Sequence, residues 1–334
     1  MKSEAVNGAK IVVIGGGTGS FAVLSGLKNY ATDITALVNM ADDGGSTGQL
    51  RDEMGVLPPG DVRQCLVALS RSPKVRDLFN YRFSEGNLAG HAFGNLFLAA
   101  LEDMTGDFVN AVDLAEEILN VEGHVVPVTL DQVTICIDHG GKEILRHERN
   151  IDGMHFVNKH PKLWLEPEPK VNEEAIYAIM NADVVVVAPG DIYKSIGPSL
   201  VVSGVGEALQ KTPAKKIYVS NLINKPGQTD CFGVSDYANE LERLAGGEFL
   251  DYVLYNSNRP SKALLEKYAK AGELPVEVDS SKLKDAHFKA RGISMLANEI
   301  WQNTNKKDPL ASQRTLIRHD PDAVARAIMK IYFS

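Results

Sequence analysis

The chain has 334 residues, 44% of them hydrophobic and 23% charged, and a formal net charge of −8 at pH 7, which is typical of soluble globular proteins. The acidic balance disfavours nucleic acid as a partner, because nucleic-acid binding needs a basic face. No apolar run approaches the ~20 residues of a membrane span, and the three cysteines stand far apart. We therefore expect a cytoplasmic protein without a membrane-spanning segment.

Residues 11–20, IVVIGGGTGS, combine an apolar strand with a glycine turn, and helical spacing follows over 21–30. Strand, glycine turn and helix form phosphate sites in α/β proteins. Glycines allow the backbone to approach a phosphate closely, and the helix N-terminus presents free N–H groups. The pattern predicts phosphate or nucleotide binding by five consecutive residues, Gly15, Gly16, Gly17, Thr18 and Gly19.

A second strand is predicted at 33–39 and ends in the loop MADDGGSTG at 40–48. Glycine, hydroxyl and carboxylate groups are too frequent in this loop for a simple connection. Asp42 and Asp43 are adjacent carboxylates that could bind Mg²⁺ with a diphosphate, or orient an attacking hydroxyl. We predict both as metal ligands and catalytic residues, with a solvated turn as the alternative.

Two later helix starts carry further candidates. A Pro-Pro-Gly sequence precedes Asp61, the predicted N-cap of a helix whose first turn holds Arg63. Arg63 is suited to bind a phosphate or carboxylate, although a surface ion pair would also explain it. In GHAFGN, His91 and Asn95 flank a glycine at a helix start. We predict that both contact the ligand; a buried, hydrogen-bonded histidine is the alternative for His91.

From 121 to about 170 the pattern changes to short strands separated by turn signals, which predicts a small antiparallel insert. The βα pattern then resumes. We predict four further strands, at 183–188, 216–220, 252–255 and 275–278. Gly190 follows the first of these strands, and Asn221 and Asp230 lie in the loop after the second. These three residues are predicted ligand contacts, although asparagine is also common in turns.

The element order predicts an α/β fold, Rossmann-like and doubly wound, with a mostly parallel sheet and the small antiparallel insert. Ligands of such sheets bind beyond the carboxyl ends of the strands, where the strand order reverses. Each unusual loop of this chain follows a predicted strand, so we expect the loops to surround one crevice. Ser20 and Asn39 stand where a dinucleotide site needs a glycine and an acid, which disfavours NAD, and no Walker-type lysine follows the glycines.

Six motifs together resemble the YvcK or gluconeogenesis-factor family of the CofD-like superfamily. They are GGGTG, ADDGGSTGQLR, PPGDVRQCLVALS, GHAFGNLFLAAL, APGDIYKSIGPSL and SNLINKPGQTD. The resemblance implies one CofD-like Rossmann-type domain over 1–334. It also implies binding of UDP-sugars, notably UDP-N-acetylglucosamine, in support of cell shape and wall synthesis during growth on gluconeogenic carbon sources.

The related CofD branch implies an alternative, a transferase. That enzyme moves a 2-phospholactyl-type group from a guanosine diphosphate carrier to a deazaflavin hydroxyl, with Mg²⁺. Whether this chain is an enzyme, and whether its ligand is a UDP-sugar or a GDP-type nucleotide, stays open from the sequence. The family's usual GPGSLYTS is APGDIYKS here, and its Gly-Glu-Thr is replaced by GQT at 227–229.

Near the C-terminus, Arg318 ends a short extended segment before a helix that Pro321 opens. An arginine there could bind phosphates bidentately, and the resemblance supports this role through a matching Arg-His-Asp. It also implies Tyr268 as a second ligand contact. The alternative is that Arg318 pairs with Asp320 or Asp322 to fix the last helix. We also expect a homo-oligomer.

Overall fold

A computed structural model describes residues 6–297 and 317–334. Its large sheet has seven parallel strands in the order β3-β2-β1-β7-β8-β9-β10. The strands are β1 (Val6–Ile14), β2 (Ala31–Val38), β3 (His124–Pro127), β7 (Val184–Val187), β8 (Lys215–Val219), β9 (Tyr252–Asn256) and β10 (Lys289–Ile293). A small antiparallel sheet is formed by β4 (Thr134–Asp138), β5 (Leu145–Arg146) and β6 (Lys162–Glu166).

Helices cover both faces of the large sheet. Before the small sheet come α1 (Gly17–Leu27), α2 (Gly45–Met54), α3 (Pro59–Leu69), α4 (Pro73–Phe79), α5 (Phe93–Thr105) and α6 (Phe108–Leu119). Later come α7 (Glu148–Ile151), α8 (Glu173–Met180), a π-helical turn (Ile192–Ile196), α9 (Gly197–Leu200), α10 (Val205–Lys211), α11 (Val234–Leu244), α12 (Lys262–Ala269), α13 (Ser280–Asp285) and α14 (Pro321–Tyr332). Within the described residues, no helix has the length and apolarity that crossing a bilayer requires.

Strand β1 is the centre of the sheet because its residues are apolar on both faces. Ile11 and Val13 pack into one core layer and Val12 and Ile14 into the other. The strand order reverses at β1, since β2 and β3 lie on one side and β7 to β10 on the other. The predicted doubly wound α/β fold with a small antiparallel sheet is therefore confirmed.

Helices α1 and α14 pack against each other on one face of the sheet. A Cβ on Gly26 of α1 would lie 2.0 Å from the carbonyl oxygen of Pro321, which begins α14. The hydroxyl of Tyr30 donates a 2.5 Å hydrogen bond to Asp322. The first helix thus shares its layer with an element from the far end of the chain.

Several predicted elements differ from the structure. Strand β3 lies inside the predicted insert of 121–170 but belongs to the large sheet, so the antiparallel sheet covers only its later part. The strand predicted at 275–278 forms only isolated bridges, through Pro275 and Glu277. Strand β10 takes the edge position instead, because it pairs with β9 along its whole length.

Two helix starts also differ. Helix α2 begins at Gly45, inside the predicted loop, because Ser46, Thr47 and Leu50 are buried against neighbouring elements. Helix α3 begins at Pro59 with Pro58 as its N-cap, so the prediction of Asp61 as N-cap is wrong.

Candidate functional site

The loops after β1, β2, β7 and β8 meet at the carboxyl edge of the large sheet. Asn39 follows β2, and its Nδ2 donates to the carbonyl oxygen of Lys194, which follows β7, at 3.1 Å. Because β2 and β7 flank β1, this hydrogen bond spans the end of β1. The crevice therefore lies where the strand order reverses, the usual ligand position in such sheets.

The glycine turn is shaped by close packing on two sides. A Cβ on Gly16 would lie 1.8 Å from Oδ2 of Asp61, and one on Gly19 would lie 1.7 Å from the Pro189 carbonyl oxygen. Gly17 differs, because its φ is +66° and a Cβ there would have no neighbour within 4 Å. A side chain at Gly17 would therefore point into open space at the N-terminus of α1, beside the exposed Thr18.

The N-termini of α1, α2, α3 and α5 converge beside this turn. Asp61 of α3 accepts from the Gly17 N–H of α1 at 2.9 Å. Ser46 of α2 hydrogen bonds with His91, just before α5, at 3.1 Å, and accepts from Asn95 of α5 at 3.2 Å. Arg63 of α3 donates through Nε to Asn95 Oδ1 at 2.8 Å. Four positive dipole ends thus face one region.

These four helices share a further property. Their N-cap residues, Gly16, Gly44, Pro58 and Ala92, offer no side-chain cap to their helices. Among the other helices, α4, α6, α8 and α14 are capped by the side chains of Ser72, Asp107, Asn172 and Asp320, whereas α7, α9, α10, α12 and α13 also lack a side-chain cap. Uncapped N-termini retain N–H groups that an anion can bind. Missing caps are not peculiar to these helices, so it is the convergence of four N-termini in one region that makes them a candidate anion site.

Arg63, His91 and Asn95, three predicted contacts, belong to one buried hydrogen-bond network. Ser46 joins His91 to Asn95, and Asn80 accepts from Arg63 Nη1 at 2.6 Å. The sequence did not single out Ser46 or Asn80, because their partners come from distant helices. The network fixes the first turns of α2, α3 and α5 relative to one another.

Asp42 and Asp43 point to different partners. Asp43 is buried, hydrogen bonds with His147 Nδ1 at 2.6 Å and lies 3.9 Å from Arg51 Nη2. Asp42 accepts from the Gly44 N–H at 2.9 Å, and its carboxyl shares a hydrogen bond with Glu148. The two adjacent carboxylates therefore have separate partners, and their predicted roles as metal ligands and catalytic residues stay predictions.

Three acidic groups crowd together at the crevice instead. Burial and the neighbouring charge of Asp61 raise the pKa of Asp42. Burial and the charge of Glu148 raise the pKa of Asp61 to about 6. Burial and Asp42 raise the pKa of Glu148 to about 8, against the opposing effect of Lys194. Glu148 lies on α7, beside the small sheet, and its segment HERNID looks like an ordinary solvated surface in the sequence.

A chain of opposite charges continues from Glu148. Lys194 Nζ lies 3.2 Å from Glu148 Oε1 and 2.7 Å from Asp152 Oδ1. Lys225 Nζ lies 3.0 Å from the same Asp152 oxygen. Burial favours the neutral form of Lys194, but Asp191, Glu148 and Asp152 outweigh it and raise its pKa. The crevice thus has an acidic end near Gly17 and a cationic end after β7 and β8.

Asn221 supports a neighbouring loop through its side chain. Its Oδ1 accepts from the Gly190 N–H at 3.1 Å and its Nδ2 donates to the Gly190 carbonyl oxygen at 2.7 Å. Asp230 is exposed and accepts from the Gly227 N–H at 2.7 Å, closing a turn. The structure therefore gives both residues loop-forming roles, and their predicted ligand contacts stay predictions.

The C-terminal candidates lie close to β8. Tyr268 is buried and its hydroxyl accepts from the Ile317 N–H at 3.0 Å. Arg318 is half-buried, and its carbonyl oxygen accepts from the Ala297 N–H at 2.9 Å. His319 Nε2 donates to the Ser220 carbonyl oxygen at 3.0 Å, and burial lowers its pKa to about 4. Tyr268 and His319 thus fix the position of Arg318.

Across residues 6–297 and 317–334, no three His, Cys, Asp or Glu side chains are grouped so that they could hold a metal ion. A cation at this crevice would therefore take at most two carboxylates from the described chain. Mg²⁺ bound with a diphosphate commonly has one or two protein carboxylates, with the phosphates and water completing its shell. Asp42 and Asp61 fit that requirement, since Asp61 lies against Gly16 of the glycine turn and Asp42 is close enough for the Asp61 charge to raise its pKa.

Comparison with known proteins shows the family of this chain. The family described as 2-phospho-L-lactate transferase CofD matches residues 11–299. The chain belongs to the CofD family. Within it, the chain is 38% identical to a gluconeogenesis factor of Bacillus subtilis over 325 residues, covering 96% of this chain and 98% of that protein.

Other family members show the same extent of similarity. A gluconeogenesis factor of Listeria innocua is 35% identical over 324 residues, which cover 96% of this chain and 94% of the relative. A crystal structure of a UPF0052 family member from Bacillus halodurans is 34% identical, with a TM-score of 0.86 over 96% of this chain and 99% of that one. The predicted resemblance to the gluconeogenesis-factor branch is therefore confirmed.

Proposed function

We propose that this protein binds a nucleoside diphosphate sugar of the UDP-N-acetylglucosamine type, with its diphosphate at the converging N-termini of α1, α2, α3 and α5. The observation that carries the proposal is that these four N-termini converge beside the glycine turn, where none of the N-cap residues provides a side-chain cap. A diphosphate would satisfy the remaining N–H groups and complement the helix dipoles.

Gly17 provides the test of this position. Its positive φ would strain any other residue by about 1 kcal/mol or more, and an added methyl group would occupy the open space before α1. Gly106 is a matched control, because it has φ +71°, has no neighbour within 4 Å, and ends α5 away from the crevice. Calorimetry with UDP, UDP-N-acetylglucosamine and GDP compares Gly17→Ala with Gly106→Ala. We expect only Gly17→Ala to abolish nucleotide binding; equal affinities would contradict the proposal.

We further propose that Mg²⁺ accompanies the diphosphate, held by Asp42 and Asp61. The cation would neutralise part of the phosphate charge. Asp42→Asn should then remove the Mg²⁺-dependent part of the affinity. Asp43→Asn is the neighbouring control, because its carboxylate faces His147 and Arg51 instead. If both variants retain the parent's Mg²⁺ dependence, the assignment is wrong.

A CofD-like transfer is the second candidate function. It is favoured by the raised pKa values of Asp61, about 6, and Glu148, about 8. Such values allow a carboxyl group to exchange a proton near neutral pH, as general acid–base chemistry requires. Incubating the protein with a phospholactyl guanosine diphosphate and a deazaflavin acceptor tests this role. Absence of the phospholactyl product, in a preparation that binds the nucleotide, leaves ligand binding as the function.

The cellular role that we propose is cytoplasmic and follows the gluconeogenesis-factor relatives, namely support of cell shape and wall synthesis on gluconeogenic carbon sources. A deletion strain complemented with the parent chain or with Gly17→Ala tests it. We expect the parent alone to restore growth and shape. Restoration by both would separate this role from nucleotide binding.

A further inference from the structure

Lys194 and Lys225 direct their ammonium groups at one oxygen atom. Asp152 Oδ1 lies 2.7 Å from Lys194 Nζ and 3.0 Å from Lys225 Nζ. The lysines come from different loops, after β7 and after β8, whereas Asp152 follows α7 beside the small sheet. Two cations from the carboxyl edge of the large sheet thus share one carboxylate from another part of the chain.

Lys194 is held in place from several directions. Its side chain is only 10% exposed. Its N–H donates to Asp191 Oδ1 at 3.1 Å, and its carbonyl oxygen accepts from Asn39 Nδ2. Glu148 remains beside the ammonium at 3.2 Å. The position of this cation is therefore set by the loops of the large sheet and by α7, and does not depend on Asp152 alone.

Asp152 is much less constrained. Its side chain is 55% exposed, and that of Lys225 is 41% exposed. Ion pairs with this much solvent contact contribute little to stability, because water screens them and ordering the side chains has an entropic cost. An incoming anion would take the place of the exposed Asp152 carboxylate as the partner of both lysines, so the buried Lys194 ammonium would stay paired.

We propose that Lys194 and Lys225 form an anion subsite, which the Asp152 carboxylate occupies in the ligand-free protein. The group that replaces it carries anionic oxygens, as a carboxylate or a phosphate does. Glu148 and Asp191 also place negative charge beside Lys194, so the subsite takes a single anionic group close to Lys225.

This subsite rests on the proposed function for its ligand and deepens it. The charged series from Gly17 through Asp61, Asp42 and Glu148 to Lys194 connects the anion site at the helix N-termini to the lysine pair. We place the sugar of a nucleoside diphosphate sugar along this series, with its diphosphate at the helix N-termini. The diphosphate then binds any sugar nucleotide of this type, and the subsite adds affinity where the sugar also bears an acidic group.

The first experiment uses inorganic phosphate and no nucleotide. Phosphate affinity is measured from thermal shifts at constant ionic strength for the parent, Asp152→Asn and the double variant Asp152→Asn/Lys225→Ala. We expect Asp152→Asn to bind phosphate about fivefold more tightly or better, and the double variant to lose that gain. Glu207→Gln is the control, because it removes an exposed negative charge on α10. It should leave the phosphate affinity unchanged. Equal phosphate affinity in parent and Asp152→Asn, or a gain that survives without Lys225, overturns the inference.

The second experiment compares UDP-glucuronate with UDP-glucose, which differ at the sugar carboxylate. The affinity for UDP-glucuronate divided by that for UDP-glucose should be about fivefold higher in Asp152→Asn than in the parent. In Lys225→Ala the same ratio should fall to about one. Lys211→Ala on α10 is the control for a lost exposed lysine. An unchanged ratio in a protein that binds UDP also overturns the inference. If UDP does not bind at all, the proposed function fails while the phosphate experiment still decides the subsite.

Discussion

Replacing Asp61 with asparagine should stabilise the ligand-free protein at neutral pH. Asp61 is buried, its carboxylate lies beside Gly16, and its Oδ1 accepts from the Gly17 N–H. Burial and the charge of Glu148 raise its pKa from the usual 3.8 to about 6. The ionised form is therefore disfavoured in the folded state. Asparagine keeps an oxygen for Gly17 and removes the charge.

The rise in the Asp61 pKa from 3.8 to about 6 corresponds to about 3 kcal/mol. Between these two pH values the folded protein binds more protons than the unfolded chain, so stability falls as the pH rises. Below pH ~4 the carboxyl is protonated in both states, and the substitution should change little. Above pH ~7 the penalty is complete. Allowing for imperfect packing of the amide, we expect Asp61→Asn to gain about 1 to 3 kcal/mol there.

Urea unfolding of both proteins at pH 4.5, 6 and 8 measures this difference as a function of pH. Asp103→Asn, on the exposed side of α5, controls for the loss of a surface charge. A variant less stable than the parent at pH 8, or a difference that does not vary with pH, would refute the reasoning. Nucleotide affinity should fall in the same variant, so that the substitution that stabilises the fold weakens the site.

Three further substitutions test single contacts. Asn221→Ala removes both hydrogen bonds to the Gly190 peptide. It should lower the free energy of unfolding, measured with urea, by about 1 to 3 kcal/mol. An unchanged urea midpoint would show that the loop does not depend on Asn221. Burial lowers the pKa of His319 from 6.5 to about 4, so the folded state binds fewer protons, and about 3 kcal/mol of stability present above pH ~6.5 is lost as the pH falls towards 4. His319→Gln keeps a donor for the Ser220 carbonyl oxygen and should reduce the loss of stability between pH 6.5 and 4. An equally large loss in this variant would argue against the role of His319. Arg318→Ala should weaken UDP-sugar binding tenfold or more, about 1.4 kcal/mol. A lower ligand-free Tm with intact affinity would assign Arg318 to the fold alone.

The sequence was informative where the local pattern and the tertiary environment agree. The apolar run before Gly15 predicts a buried central strand, and β1 is that strand. The loops after β1, β2, β7 and β8 are rich in glycine and polar residues, and they meet at one edge. By contrast, helix α2 has a polar, glycine-rich sequence whose helical state depends on its buried contacts. Strand β10 alternates charged and small residues at a sheet edge, so it lacks the pattern of a buried strand.

Site residues were harder to predict than the fold. Arg63, His91 and Asn95 were predicted from their helix starts, and the structure joins them through Ser46. Glu148 was missed, because its charged segment has no local signature. Its neighbours in the crevice come from the loop after β2 and the turn after β7. Contacts between such distant segments are set by topology, which local spacing does not encode.

The packing of α14 on α1 has a consequence for synthesis in the cell. The hydroxyl of Tyr30, just after α1, bonds to a residue 292 positions later in the chain. At roughly 5 to 20 residues per second, the ribosome needs on the order of 15 to 60 s to make that stretch. During this time the face of α1 that Pro321 and Ala325 will cover has no partner. The nascent chain should therefore depend on chaperones until translation reaches α14, and slowing translation should increase its aggregation.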